Sequence, residues 1–187
     1  MATRGKITGI TLPLIGPAAD GIRYRPQFRF GMGGTQIGNI FAPISDAQAQ
    51  ATLQAAWDGG VRHFDTSPFY GHGLSEHRLG AFLRDKPRDA FLVSTKVGRV
   101  FHPSRQPLAP TLWAEKLNFS YEYAYTAEGA RRSVEDSLQR LGLASIDIVY
   151  IHDLGPENTE LPQPWTRAYE IARTGRWSNW SACATRV

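Results

Sequence analysis

The chain has 187 residues, 42% of them hydrophobic and 20% charged, with a formal net charge of +4 and one cysteine, Cys183. That length builds a real core in a single domain, one cysteine cannot staple a disulfide framework, and no run approaches the 18 or so apolar residues of a membrane span. The positive excess sits in residues 1–40, where Arg4, Lys6, Arg23, Arg25 and Arg29 face Asp20 alone. Spread along strands and turns rather than gathered on one helix face, it does not make a nucleic-acid footprint. The opening residues are too polar for a secretory signal. The expectation is a cytoplasmic protein that engages neither nucleic acid nor membrane.

Residues 1–28 read as an N-terminal cap, with Ile10, Leu12 and Leu14 alternating as in a short hairpin over 8–30. RFGMGGTQIGN (29–39) reads as a strand entering a Gly-rich loop. Ser45 and Gln48 form a capping-box signature. The helix they open carries Ala49, Leu53 and Ala56 on one face, runs to about Trp57 and stops at Gly59-Gly60. A strand follows in VRHFDTSPFYG (61–71), a short helix in SEHRLGAFLRD (75–85) and a strand in AFLVSTKVG (90–98).

Residues 99–125 read as a long insertion loop rich in aromatics: Phe101, Trp113, Phe119, Tyr121, Tyr123 and Tyr125. A loop of that length in a compact chain carries function or is disordered, and the aromatics argue against disorder. Their two available roles are covering a site and packing the insertion down. The strongest helical period lies in 127–141, where Thr126 caps a stripe of Ala130, Val134, Leu138 and Leu141 and Gly142 ends it. SIDIVYIHD (145–153) is a strand whose apolar run is too continuous for a half-exposed sheet. A weaker helix spans 165–174.

Strands alternating with helices imply parallel βαβ units, hence an α/β fold. The stretch from Gly31 lacks the third glycine of the G-x-G-x-x-G dinucleotide fingerprint, and no P-loop occurs. A (β/α)8 barrel is the better reading, and its chemistry belongs at the C-terminal ends of the strands. There the successive strands deliver Gly33, Gly34 and Thr35, then Asp65 and Tyr70, then Lys96, then His152 and Asp153. A Lys96 cation beside Tyr70 would favour the phenolate, and Asp65 would keep that lysine charged and oriented. His152 would bind a substrate oxygen. Tyr70 would then act as general acid toward a carbonyl or general base toward an alcohol.

The motifs FGMGGTQIGN (30–39), HFDTSPFYGHGLSE (63–76), STKVGR (94–99) and SVEDSLQRLGLASIDIVYIHD (133–153) resemble, in order, those of the aldo-keto reductase family. The insertion before SVEDSLQRLGL makes the chain most similar to the branch of sugar (fucose-like or threo-aldose) and pyridoxal dehydrogenases. The resemblance implies a (β/α)8 TIM-barrel that uses NAD or NADP for hydride transfer on a small sugar or aldehyde. Its catalytic tetrad would fall on Asp65, Tyr70, Lys96 and His152, with Gly33, Gly34 and Thr35 near the cofactor. Family members run to about 300 residues, near the usual barrel size. The chain therefore corresponds to the N-terminal four to five βα units, and weak dinucleotide binding is expected of it by itself.

The segment WSNW would align Ser178 and Asn179 with residues that hold the nicotinamide amide; an ungapped alternative ends that strand at Ala184-Thr185 instead. Two other readings accompany the oxidoreductase: a truncated, non-catalytic half-barrel that self-associates through exposed edges, and a metal-dependent hydrolase. For the latter, His63 would join His152 and Asp153, but no tight ligand cluster supports it, and a packed strand histidine is the plainer role. His72 and His77 read as loop and helix surface, with His72 within reach of substrate. Trp177 and Trp180 read as core or remnant residues and Cys183 as a bystander.

Overall fold

The computed structural model describes residues 30–174. The N-terminal hairpin, Trp177, Ser178, Asn179, Trp180 and Cys183 lie outside the described residues. In chain order the elements are β1 (Met32–Gly33), α1 (Asp46–Asp58), β2 (His63–Asp65), α2 (Leu74–Leu83), β3 (Leu92–Val97), β4 (Arg99–Pro103), β5 (Phe119–Tyr123), α3 (Ala127–Leu141), β6 (Ile148–Ile151) and α4 (Trp165–Thr174). Strands β1, β2, β3 and β6 form one parallel sheet in that spatial order. Parallel neighbours joined in sequential order by crossover helices are the repeating unit of a (β/α)8 barrel.

Local chemistry sets the helix ends. Ser45 Oγ accepts from the Gln48 N–H at 3.1 Å and the Gln48 side chain accepts from the Ser45 N–H at 2.9 Å, a complete capping box. Thr126 caps α3 through the Gly129 N–H, and Gly142 ends it at φ 62°. Asp147 fixes the start of β6 by accepting from the Val93 N–H at 2.8 Å and from Arg88 at 2.6 Å.

The main core lies between the sheet and its helices. Leu53 of α1, Leu79, Phe82 and Leu83 of α2, Phe64 and Val93 of the sheet, and Leu141 of α3 close around one another. A smaller cluster joins Val97, Ala130 and Val134. Helix α2 buries more than its apolar stripe predicts. Glu76 is fully buried, accepting from Thr95 Oγ1 at 2.8 Å and from Arg140 Nε at 2.5 Å. Arg78 is buried too, bonded to Asp46, Asn39 and the carbonyls of Ile37 and Ile44. It fastens the loop after β1 to α2.

Two expectations need correcting. The insertion is not a plain loop: β4 and β5 pair antiparallel, with Arg99 opposite Tyr123 and Phe101 opposite Tyr121. The hairpin is long because its connection carries Trp113 back to pair with Ile40 and to dock beside the loop after β1. Strand β6 is also less buried than its apolar run implies. It is the outer strand of the described sheet, and Tyr150 and Ile151 remain nearly half exposed.

Gly80 permits the closest helix approach. A Cβ there would collide with the Leu141 backbone of α3. Glycine to alanine inside a helix ordinarily stabilises by about 0.5–1 kcal/mol. Gly80→Ala should instead destabilise by about 1–3 kcal/mol through overpacking. The measurement is the urea midpoint at unchanged slope; a gain in stability would show that α2 and α3 do not meet there.

Candidate active site

The site is assembled at the seam between β2, β3 and β6. Parallel pairing puts Asp65 opposite Ser94 and Lys96 opposite Tyr150. Side chains alternate across a strand, so Phe64, Val93 and Thr95 turn to the helices while His63, Asp65, Ser94 and Lys96 share the other face. On that face Lys96 Nζ donates to Asp65 Oδ2 at 2.5 Å and to the Thr66 carbonyl at 2.9 Å. Ser94 Oγ donates to Asp65 Oδ1 at 2.8 Å and meets His63 Nε2 at 3.2 Å. Both carboxylate oxygens of Asp65 are thus engaged. His63 acts in this chain of contacts through Ser94. Among the described residues, no three His, Cys, Asp or Glu side chains are placed to hold a metal ion.

Tyr70 follows β2 in a tight turn, its N–H donating to the Ser67 carbonyl at 3.1 Å. Gly38 lets the loop after β1 cross the Tyr70 backbone, which an added Cβ would strike. The Lys96 ammonium stands 4.6 Å from the Tyr70 ring centroid. The His152 ring meets it edge-on at 5.8 Å and 81°, and Trp113 packs on it at 5.5 Å. The four residues expected at the strand ends therefore come together.

His152 is held from several sides. Its N–H donates to the Val97 carbonyl at 2.9 Å, its carbonyl accepts from Tyr125 Oη at 2.8 Å, and its Nδ1 lies 3.0 Å from Ser67 Oγ. Burial pushes the imidazole well below its ordinary pKa, with Arg99 and Lys96 adding repulsion against the opposing pull of Asp153. Arg99 is only 4% exposed. Its guanidinium lies 4.1 Å from the Phe69 ring centroid and bonds Asp153 Oδ2 at 2.9 Å. Phe69, Arg99, Leu112, Asp153, Asn158 and Glu160 line a cavity of about 450 Å³ beside this cluster.

The Gly-rich loop divides. Gly33 has open space where a Cβ would go, and Thr35 is half-buried. Gly34 is buried, its carbonyl accepting from Ser75 Oγ at 2.8 Å, and a Cβ there would strike Ser75 and the Asp65 carbonyl; packing accounts for that glycine. His72 is buried rather than on the surface. Its Nδ1 lies 2.6 Å from the Phe119 carbonyl, among Phe69, Phe101 and Tyr121, so it ties β5 to the turn carrying Tyr70. His77 is exposed as expected. Sequence reasoning passed over Ser94, Arg99 and Ser67. Ser94 had a signal, since it precedes Lys96 by two and must share its face. Arg99 had none, because its partners come from other elements.

These motifs belong to a known family. Residues 29–181 match the family model described as the aldo/keto reductase family, and the chain belongs to that family. It is 46% identical over 136 residues to a D-threo-aldose 1-dehydrogenase of a Pseudomonas species, covering 70% of this chain and 41% of that protein. It is 44% identical over 135 residues to a pyridoxal 4-dehydrogenase of Microbacterium luteolum, covering 67% and 39%. The chain thus spans about two fifths of the length of these relatives. Among solved structures, the glycerol dehydrogenase AKR11B4 from Gluconobacter oxydans aligns at a TM-score of 0.50 with 30% identity, over 67% of this chain and 36% of that one. The holo form of the aldo-keto reductase AKR11C1 from Bacillus halodurans, at a TM-score of 0.51 and 22% identity over 75% and 40%, shares the fold.

Burial lowers the pKa of His63 and His72 as well as of His152. The unfolded chain takes up these protons near pH 6.5 and the folded protein only at lower pH. Their contribution to stability is therefore present in full above roughly pH 7 and is lost as pH falls below about 6.5, for His152 down to its folded pKa of about 3, by at most about 1.4 kcal/mol per pH unit for each histidine. Urea unfolding at a series of pH values should show this slope, and His152→Gln should flatten it. An unchanged slope in His152→Gln would mean that His152 is not held neutral by burial.

Proposed function

We propose that the protein is an oxidoreductase, dependent on NAD or NADP, that interconverts the aldehyde and alcohol groups of a small sugar or aldehyde. The observation that carries this reading is the convergence of Asp65, Lys96, Tyr70 and His152 at the ends of neighbouring parallel strands. Two relatives support the substrate class, since one is named for aldose and the other for pyridoxal dehydrogenation. An open cleft of about 450 Å³ adjoins the cluster at Phe69, Arg99 and Asp153.

The residues fit a nicotinamide at the strand ends. Gly33 leaves free space at the end of β1, and Lys96 keeps one ammonium proton beyond those given to Asp65 and Thr66. Gly33, Gly34 and Thr35 would help hold the cofactor, Gly34 through its packed backbone, with Ser178 and Asn179 as candidates for its amide. A bound nicotinamide supplies or accepts the hydride. The chain's own part is to move the proton. Tyr70 donates from its phenol to the carbonyl oxygen during reduction and accepts it from the hydroxyl during oxidation. Lys96, kept in place by Asp65 and Thr66, sets the field at that phenol. His152 holds the substrate oxygen against Tyr70. Phe69, Trp113 and Tyr121 form an aromatic wall beside Tyr70 and His152.

Tyr70→Phe keeps the ring and removes the proton. Turnover of a short aldose and of pyridoxal, followed through the absorbance of reduced nicotinamide, should fall by about 10²–10⁴-fold. Retention of more than roughly a tenth of kcat would contradict this role, being well short of that range. Lys96→Met should also lower turnover and shift the pH profile of alcohol oxidation upward, because the cation that favours the phenolate is gone.

A further inference from the structure

Ser67 is fully buried, next to the site but outside the tetrad. Its hydroxyl has two contacts. The Phe69 N–H donates to Ser67 Oγ at 3.1 Å, and His152 Nδ1 lies 3.0 Å away. A hydroxyl carries one proton and two acceptor positions. The Phe69 N–H takes an acceptor position and leaves the serine proton to be placed. Buried donors find acceptors, and among the described residues the acceptor in contact with Oγ is Nδ1. The serine therefore donates to Nδ1, which must be unprotonated, and the ring proton resides on Nε2.

The opposite end of the ring agrees. Nε2 faces the Asp153 carboxylate at 3.6 Å, too far for a hydrogen bond but close enough to favour a proton there. Asp153 Oδ2 is bonded by Arg99 at 2.9 Å, and at 3.6 Å from it Nε2–H has no hydrogen-bond acceptor among the described residues. Lys96 from β3 and Arg99 from β4 flank the ring with positive charge, and with burial they oppose a second proton on it.

We propose that Ser67 is a positioning residue: its hydroxyl, oriented by the Phe69 N–H, donates to His152 Nδ1 and thereby presents Nε2–H as the donor to a ligand oxygen beside Tyr70. The dipeptide Thr66-Ser67 then has a divided task. Thr66 gives its carbonyl to Lys96, and Ser67 gives its hydroxyl to His152. One turn thus orients two members of the tetrad while carrying the third, Tyr70, at its end. The tautomer assignment rests on hydrogen-bond geometry alone; its catalytic consequence rests on the proposed function.

The test is nitrogen-15 NMR of the histidine rings in the 187-residue chain, with His152 assigned by its loss in His152→Gln. The expected spectrum shows His152 neutral at pH 7, with Nδ1 unprotonated and the proton on Nε2. Ser67→Ala should move the Nδ1 signal, since its hydrogen bond is removed, and should reduce kcat for a short aldose about tenfold, on the scale of one hydrogen bond. Ser67→Thr, which restores a hydroxyl, should recover both. A wild-type His152 carrying its proton on Nδ1 would overturn the proposal. So would Ser67→Ala with unchanged ring signals, or with kcat within twofold of wild type while Tyr70→Phe abolishes turnover. Absence of carbonyl turnover in the wild-type chain would count against the proposed function, and the spectrum would still decide the tautomer.

Discussion

The site depends on one ammonium placed between two strands. Lys96 reaches from β3 to the carboxylate of Asp65 and the Thr66 carbonyl at the end of β2. Its side chain is 14% exposed and that of Asp65 is 30% exposed. In such partial burial a lone charge loses much of its hydration, so each partner depends on the other. The pair brings positive charge to the face of Tyr70 and ties the turn that bears Tyr70 to the neighbouring strand. The parallel register makes this possible, because it places Asp65 opposite Ser94, two residues before Lys96.

Around this pair the hairpin of β4 and β5 supplies a wall. Arg99 begins it at the end of β3 and lies across Phe69, Tyr121 and Tyr123. Trp113, in the connection, packs on both Phe69 and Tyr70. His72 bonds the hairpin from below through the Phe119 carbonyl. Covering the site and packing the insertion are therefore the same set of contacts. The aromatic rings that shape the mouth are also the ones that hold the hairpin down.

Much of this was legible in the residues, for identifiable reasons. Helix α1 could be bounded from Ser45, Gln48 and Gly59-Gly60, because capping chemistry is local. The clustering of Asp65, Tyr70, Lys96 and His152 could be anticipated because strand ends in a βαβ fold converge, so residues far apart in sequence share one face. The hairpin could not be seen, because its pairing is between strands separated by the Trp113 connection, and its aromatics fit a loop as well as a strand. Glu76 and Arg78 defied the apolar stripe of α2 because their partners, Arg140 and Thr95 for one and Asp46 and Asn39 for the other, come from distant elements. Ser67 was passed over because its importance lies in which hydrogen bonds its hydroxyl has left to make, which no spacing reveals.

A double-mutant cycle on Asp65→Asn and Lys96→Met, read by urea unfolding at pH 7, tests most directly whether this ion pair organises the site. Either change alone leaves a partly buried group without its partner, whereas the double change removes both charges. The account predicts that the double variant is more stable than the sum of the single losses implies, by about 1–3 kcal/mol. Additivity within about 0.5 kcal/mol would contradict it, since independent sites behave that way.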